Sequence, residues 1–155
     1  MSANPHAHRK PGREQALLKL FLGTWQVEGH NAPSAPDSAA PPVTGTDTFE
    51  LLPGGFFLQG HWDHRFASGE HTGVAMIGYD PDEGMFFAHH YDNLGYPRRY
   101  QVTYNERVWT YTGRYERATI VFSPDGQRMV QTWDMSEDGE NWRPLCELHG
   151  TKAAS

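Results

Sequence analysis

A single cysteine, Cys146, stands among 155 residues, so no disulfide can close within the chain and a disulfide-stapled secreted scaffold is excluded. No apolar run approaches the roughly 18 residues that a membrane-crossing helix needs, so no membrane partner is expected. Positive charge is scarce: 13 Lys and Arg stand against 19 Asp and Glu, a formal charge of −6 with nine His uncounted. That is the wrong sign for gripping phosphates, and nucleic acid is not an expected partner. The apolar patch in "ALLKLFLG" is too short and too interrupted for a secretory leader. Together with the lone thiol it gives the expectation of a cytoplasmic chain. Short catalytic motifs are also missing: there is no G-x-S-x-G, no glycine-rich phosphate loop after a strand, and no zinc-type Cys/His spacing. The acidic turns "DPDEG" and "SEDGEN" lack the spacing of a calcium loop. No metal is therefore expected.

Aromatics and glycine are abundant. Eight Phe, seven Tyr, five Trp and sixteen Gly favour strands and tight turns over helices. Residues 1–12 are polar, contain two prolines and read as a disordered tail; residues 13–152 read as one domain. "REQALLKLF", from Arg13 to Phe21, has the spacing of about two helical turns. After it the hydrophobic period becomes two, and turn signals recur every eight to twelve residues: "PGG", "ASGE", "DPDEG", "DNLGYP", "NE", "SPDG" and "SEDGEN". Between them lie ten candidate strands, at 24–30, 44–52, 56–66, 72–79, 85–92, 97–104, 107–113, 116–123, 128–136 and 141–151. Residues 31–45, rich in Pro, Ala and Ser, make the one long connection. No helices alternate with the strands, which excludes a parallel α/β sheet. Short antiparallel connections favour an all-β, up-and-down antiparallel barrel over a sandwich, whose Greek-key crossings need longer links. A barrel of about ten strands is too wide for its own side chains to fill, so an interior cavity is expected.

At "LLKLFLGTWQVEG" a short helical turn leads into Gly-x-Trp at the start of the first strand. This arrangement resembles the calycin superfamily of lipocalins, fatty-acid-binding proteins and nitrobindins. "VTGTDTFELLPGGFFLQGHWDH", "MIGYDPDEG", "YDNLGYPRRY" and "SPDGQRMVQTWDMSEDGENWRPLCEL" look like a bacterial family of lipocalin-like domains of unassigned function. The resemblance covers residues 14–152 and implies a barrel with an internal cavity, in which Gly23 and Trp25 are structural and the indole plugs the closed end. It supplies no reaction.

The chemistry-bearing stretch is "FFLQGHWDHRF". Alternation along a strand places Phe56, Leu58, Trp62, His64 and Phe66 on one face, and Phe57, Gln59, His61, Asp63 and Arg65 on the other. The apolar set should face inward, which makes His64 a titratable group on an apolar wall and separates it from His61. In "MFFAHHYD" only one of His89 and His90 can face in, and the period does not decide which; His90 is the one able to pair with His64 across the barrel. Tyr100 and Tyr104 share a face in the next strand as candidate cavity walls, while Trp109 with Tyr111, and Met129 with Gln131 and Trp133, read as core. Cys146 reads as a small core residue.

Three functions follow from these residues. The leading one is binding of a hydrophobic or aromatic small molecule, with Trp62 covering it, His64 and His90 bonding to it, and Tyr100 and Tyr104 holding an oxygen. The second comes from the resemblance: nitrobindins hold haem iron through a histidine near the C-terminus, and "ELHGTK" places His149 there, so haem is the cofactor to consider where otherwise none is expected. The third is an enzyme, an isomerase, cyclase or hydrolase, with His64 as catalytic acid/base beside Tyr100 or Asp92. A homodimer is the commonest assembly, though no segment marks an interface.

Overall fold

Gly12 precedes a helix that starts by satisfying its own end: the Gln15 side chain accepts a hydrogen bond from the Gly12 N–H at 2.8 Å. In the computed structural model, which describes residues 4–154, this helix, α1, spans Arg13–Leu18 and runs on as one 3₁₀ turn, Lys19–Phe21. So short a helix does not persist alone in water. It is held by burial of Leu18 and Phe21, which are 0 % and 1 % exposed. Phe21 meets Phe122 edge-on at 4.9 Å and Trp109 at 5.2 Å. The Trp25 indole N–H donates to the Phe21 carbonyl at 2.8 Å, so the first strand is fastened to the plug that precedes it. Between them Gly23 has φ +114°, and an added Cβ there would come 3.2 Å from Cε of Lys152; a side chain would be strained as well as crowded.

Ten strands follow: β1 Gly23–Asn31, β2 Pro42–Leu51, β3 Leu58–Phe66, β4 Gly69–Asp80, β5 Met85–Asp92, β6 Pro97–Asn105, β7 Val108–Thr112, β8 Glu116–Phe122, β9 Arg128–Met135 and β10 Arg143–Lys152. Each pairs antiparallel with its sequence neighbours, and β1 pairs with β10 to close the barrel, which removes the unpaired edges of an open sheet. Among the described residues no helix is long and apolar enough to cross a membrane. The up-and-down path puts α1 and the turns at 81–84, 106–107 and 123–127 at one end. The connections 32–41, 67–68, 93–96, 113–115 and 136–142 gather at the other. Trp25, Phe86, Trp109, Phe122 and Met129 fill the plugged end, each large buried side chain contributing about 1.5–3 kcal/mol.

Most strand bounds shift by one to three residues from the sequence reading, and two differences bear on the cavity. The alternation on β3 begins at Leu58, not at Phe56: Phe56 and Phe57 belong to the preceding turn, where the Phe57 ring lies 6.3 Å from Phe87 on the outside of the barrel. In β10 the register with β9 shifts between Pro144 and Cys146, a bulge that brings both Leu145 and Cys146 to the inner surface. As for the expected tail, residues 1–3 lie outside the described residues, and 4–12 form no helix or strand, with Arg9 seated 5.5 Å over the Phe56 ring.

Candidate functional site

Above the plug the inward side chains stop filling the barrel. A cavity of about 320 Å³ is left, reaching from Phe21, Phe49, Ile77 and Ile120 at its floor to Leu94, Tyr96 and Arg98 near the open end. Its walls are mostly apolar, and the polar groups are few and placed.

The β3 alternation turns Leu58, Gly60, Trp62 and His64 inward. Trp62 lies over Gly73, its register partner on β4. A Cβ at residue 73 would come 2.2 Å from the indole and 2.5 Å from the Tyr91 carbonyl oxygen, so the absence of a side chain at Gly73 is what lets the indole occupy the wall. Gly73→Ala is expected to cost about 2 kcal/mol of unfolding free energy in a urea titration, the usual scale of overpacking. The exposed-side Thr72→Ala should stay within about 0.5 kcal/mol; equal, small effects would contradict this packing.

His64 is 8 % exposed and its partner is Asp47, 3 % exposed, on β2. The His64 Nε2–H donates to Asp47 Oδ1 at 2.6 Å, since a carboxylate only accepts. The second oxygen, Oδ2, accepts from Gln131 Nε2 at 2.9 Å, and Gln131 Oε1 accepts from the Trp133 indole N–H at 3.0 Å. Only this orientation of the amide satisfies both a carboxylate and an indole. The result is a buried relay from Trp133 through Gln131 and Asp47 to His64, with the far imidazole nitrogen, Nδ1, free of any hydrogen-bond partner among the described residues.

His90, not His89, faces the cavity. Its ring stands among those of Tyr100 at 4.9 Å, Trp62 at 5.2 Å, and Tyr111 and Trp133 at 6.1 Å. No hydrogen bond reaches it among the described residues. Burial, with the neighbouring His71 adding to it, pushes its pKa from 6.5 down to about 3, so the imidazole is neutral at physiological pH. The other choice of face would have exposed Phe86, which packs edge-on against Trp109 at 5.0 Å.

Near the open end His71 Nε2–H donates to Asp92 Oδ2 at 3.1 Å, while Asp92 Oδ1 accepts the N–H groups of Leu94 and Tyr96 at 3.0 and 3.1 Å. Burial opposes ionisation of Asp92, but the bonds from His71 and Tyr96 outweigh it and hold the carboxyl below its ordinary range. Opposite, Arg98 lies 4.5 Å over the Tyr96 ring and 3.4 Å from Glu116. Burial keeps the Cys146 thiol up at about 12, with Glu116 adding to the effect, so it is an inert part of the wall.

Of the residues singled out in the sequence, Trp62, His64 and His90 line the cavity and Tyr100, Tyr104 and His149 do not. Tyr100 lies behind His90 and Trp133, and its hydroxyl donates to Glu116 at 3.4 Å. Burial, followed by the Glu116 charge, raises its pKa. Tyr104 has the right face at the wrong level, four residues nearer the plug, where its ring meets Trp109 at 4.8 Å. His149 is exposed on the outer surface, away from the cavity lining, and its ring bonds Glu147 at 3.0 Å. The expected partners of His64 also change: Asp92 belongs to His71, Tyr100 to Glu116, and His64 to Asp47. Asp47 was legible, since "VTGTDTF" puts one carboxylate on the face of Val43, Gly45 and Phe49. Among the described residues no three His, Cys, Asp or Glu side chains gather closely enough to share a metal ion.

No curated protein matches the sequence. Among solved structures the chain is similar to Rv2717c from M. tuberculosis, with 14 % identity, a TM-score of 0.67, and 92 % of this chain and 99 % of that one covered. It is also similar to the S-type phycobiliprotein lyase CPES from Guillardia theta, with 9 % identity, a TM-score of 0.55, and 94 % and 99 % covered. At such identities the likeness is one of fold. The sequence itself matches over residues 10–151 the family described as "Protein of unknown function (DUF1579)", and the chain belongs to that family.

Proposed function

We propose that the barrel binds one hydrophobic or aromatic small molecule in the cavity above the plug, in the manner of the lipocalin-like proteins that its Gly23–Trp25 entrance resembles. The observation that carries this reading is the cavity itself: about 320 Å³, walled by Trp62, Tyr111, Trp133, Ile77 and Ile120, with His64 and His90 in its lining. Small-molecule sites have this size and this makeup, a largely apolar wall with a few fixed polar groups. A structural core would have filled the space, because interiors pack with few voids larger than water.

A neutral aromatic probe, N-phenyl-1-naphthylamine, tests the reading. Its emission is expected to rise saturably at one probe per chain, with quenching of tryptophan fluorescence as Trp62 and Trp133 come within transfer distance. Ala75 lies on the cavity wall, opposite His90 in register. An Ala75→Phe variant that retains the wild-type circular dichroism should lose the saturable signal. An equal signal in that variant would place the probe elsewhere and overturn the proposal.

A further inference from the structure

We infer that the cavity is catalytic: His64 acts as general base on the carbon beside a carbonyl group of the occupant, and His90 donates a hydrogen bond to that carbonyl oxygen. The inference rests on the reading that a small molecule enters the cavity, and it names the class, an aromatic or alicyclic ketone with an acidic C–H bond.

Asp47 fixes the base. By taking the Nε2–H of His64 at 2.6 Å it leaves the lone pair of a neutral imidazole on Nδ1, the nitrogen without a partner among the described residues. A carboxylate holding one imidazole nitrogen so that the other can take a proton is the arrangement of general-base histidines. Asp47 is itself braced on its second oxygen by Gln131, and Gln131 by Trp133. Merely satisfying one buried histidine takes a single carbonyl or hydroxyl. Here three further polar side chains, all 9 % exposed or less, are spent on its orientation.

His90 provides the complementary group. It lacks a hydrogen bond among the described residues, and burial keeps it neutral, so it offers an N–H where charge would grow on oxygen and does not compete for the proton. Both histidines line the same cavity, and Trp62 connects them. Trp62 is two residues from His64 on the same inward face, about 7 Å along the strand, and its ring lies 5.2 Å from that of His90.

The step balances within the substrate and these two side chains. The α C–H bond breaks, its proton goes to Nδ1 of His64, and its electron pair becomes the C=C bond of an enolate. The carbonyl π pair moves to oxygen, held by the His90 N–H. Return of the proton to the same carbon gives exchange with solvent, and its return to a conjugated carbon gives a shifted double bond. No co-reactant is needed.

The probe is 2-tetralone in D₂O, with deuterium uptake at C1 followed by NMR and corrected for the buffer rate, and its binding followed separately by tryptophan quenching. The wild-type chain should bind it and accelerate exchange. His64→Gln should bind it with exchange reduced about 100-fold or more, the range of a general base. Asp47→Asn, which keeps the side-chain volume and acts on His64 as a positioning residue, should lower exchange at saturating ketone without changing half-saturation, and it stands in if His64→Gln does not fold. Binding of the ketone with exchange no faster than in either variant would overturn the inference. No quenching by the ketone, while N-phenyl-1-naphthylamine still binds, would also overturn it and leave the binding reading standing. Failure of both probes would overturn both.

Discussion

Asp47→Ala is expected to lower the unfolding free energy by about 3 kcal/mol, read as a shift of the urea midpoint. The substitution removes a carboxylate that accepts from two buried donors, His64 Nε2 at 2.6 Å and Gln131 Nε2 at 2.9 Å, and leaves Gln131 Nε2 only the weak Met129 sulfur at 3.9 Å. Each abandoned buried donor costs about 1–3 kcal/mol. Distance alone would not give this answer. Arg143 and Glu137 approach to 2.9 Å as well, but on a surface where the two side chains are 62 % and 78 % exposed, so Glu137→Ala should cost less than about 1 kcal/mol. Asp47→Asn should fall between the two, because an amide can still accept one of the bonds. An Asp47→Ala effect as small as that of Glu137→Ala would mean that the relay is not held as described.

The second large effect is one of pH. The unfolded chain protonates His90 below about 6.5, whereas the folded chain keeps it neutral down to about 3. Between those values the unfolded state binds more protons, so stability rises with pH and is lost as pH falls through the window, by up to about 1.4 kcal/mol per pH unit. The contribution is fully present above 6.5. His71, Asp92 and His89 all act on the group, His71 and His89 lowering its pKa and Asp92 raising it. Asp92, held below its ordinary 3.8, adds a loss of its own only in more acid solution, where a depressed carboxylate must be protonated. His90→Phe keeps an aromatic ring among Tyr100, Trp62, Tyr111 and Trp133 and removes the titration. Urea midpoints of wild type and variant measured between pH 7 and 4 should therefore diverge, with the wild-type curve falling more steeply. Parallel curves would show that His90 is reached by water in the folded state.

The strands and turns were legible because turn chemistry is local. In "SPDG" Gly126 takes φ +73° and Asp125 accepts from Ser123 and from the Gln127 N–H; every interaction lies within a few residues and is written in the sequence order. Alternation on β3 was legible for the same reason and turned Trp62 and His64 inward. Three things were not. The level of a side chain in the barrel depends on how far the strand runs before the core ends, which is why Tyr104 shares a face with Tyr100 but packs at the plug. The partner of His64 lies 17 residues away on β2, in a register fixed by the turn that starts β3 at Leu58 and not at Phe56. On β5 both faces carry a phenylalanine and a histidine, and the choice is made by a distant contact, Phe86 against Trp109. Periodicity has no access to any of these, since each is decided by which strand lies opposite.

The central claim, that the barrel holds a small molecule above its plug, meets its most direct test in native mass spectrometry. The chain would be weighed after incubation with a protein-free small-molecule extract of its host cells, and again after denaturation. The account predicts one non-covalent adduct per chain, lost on denaturation and absent from the folded Ala75→Phe variant. No adduct, or an adduct that Ala75→Phe carries equally, would contradict it.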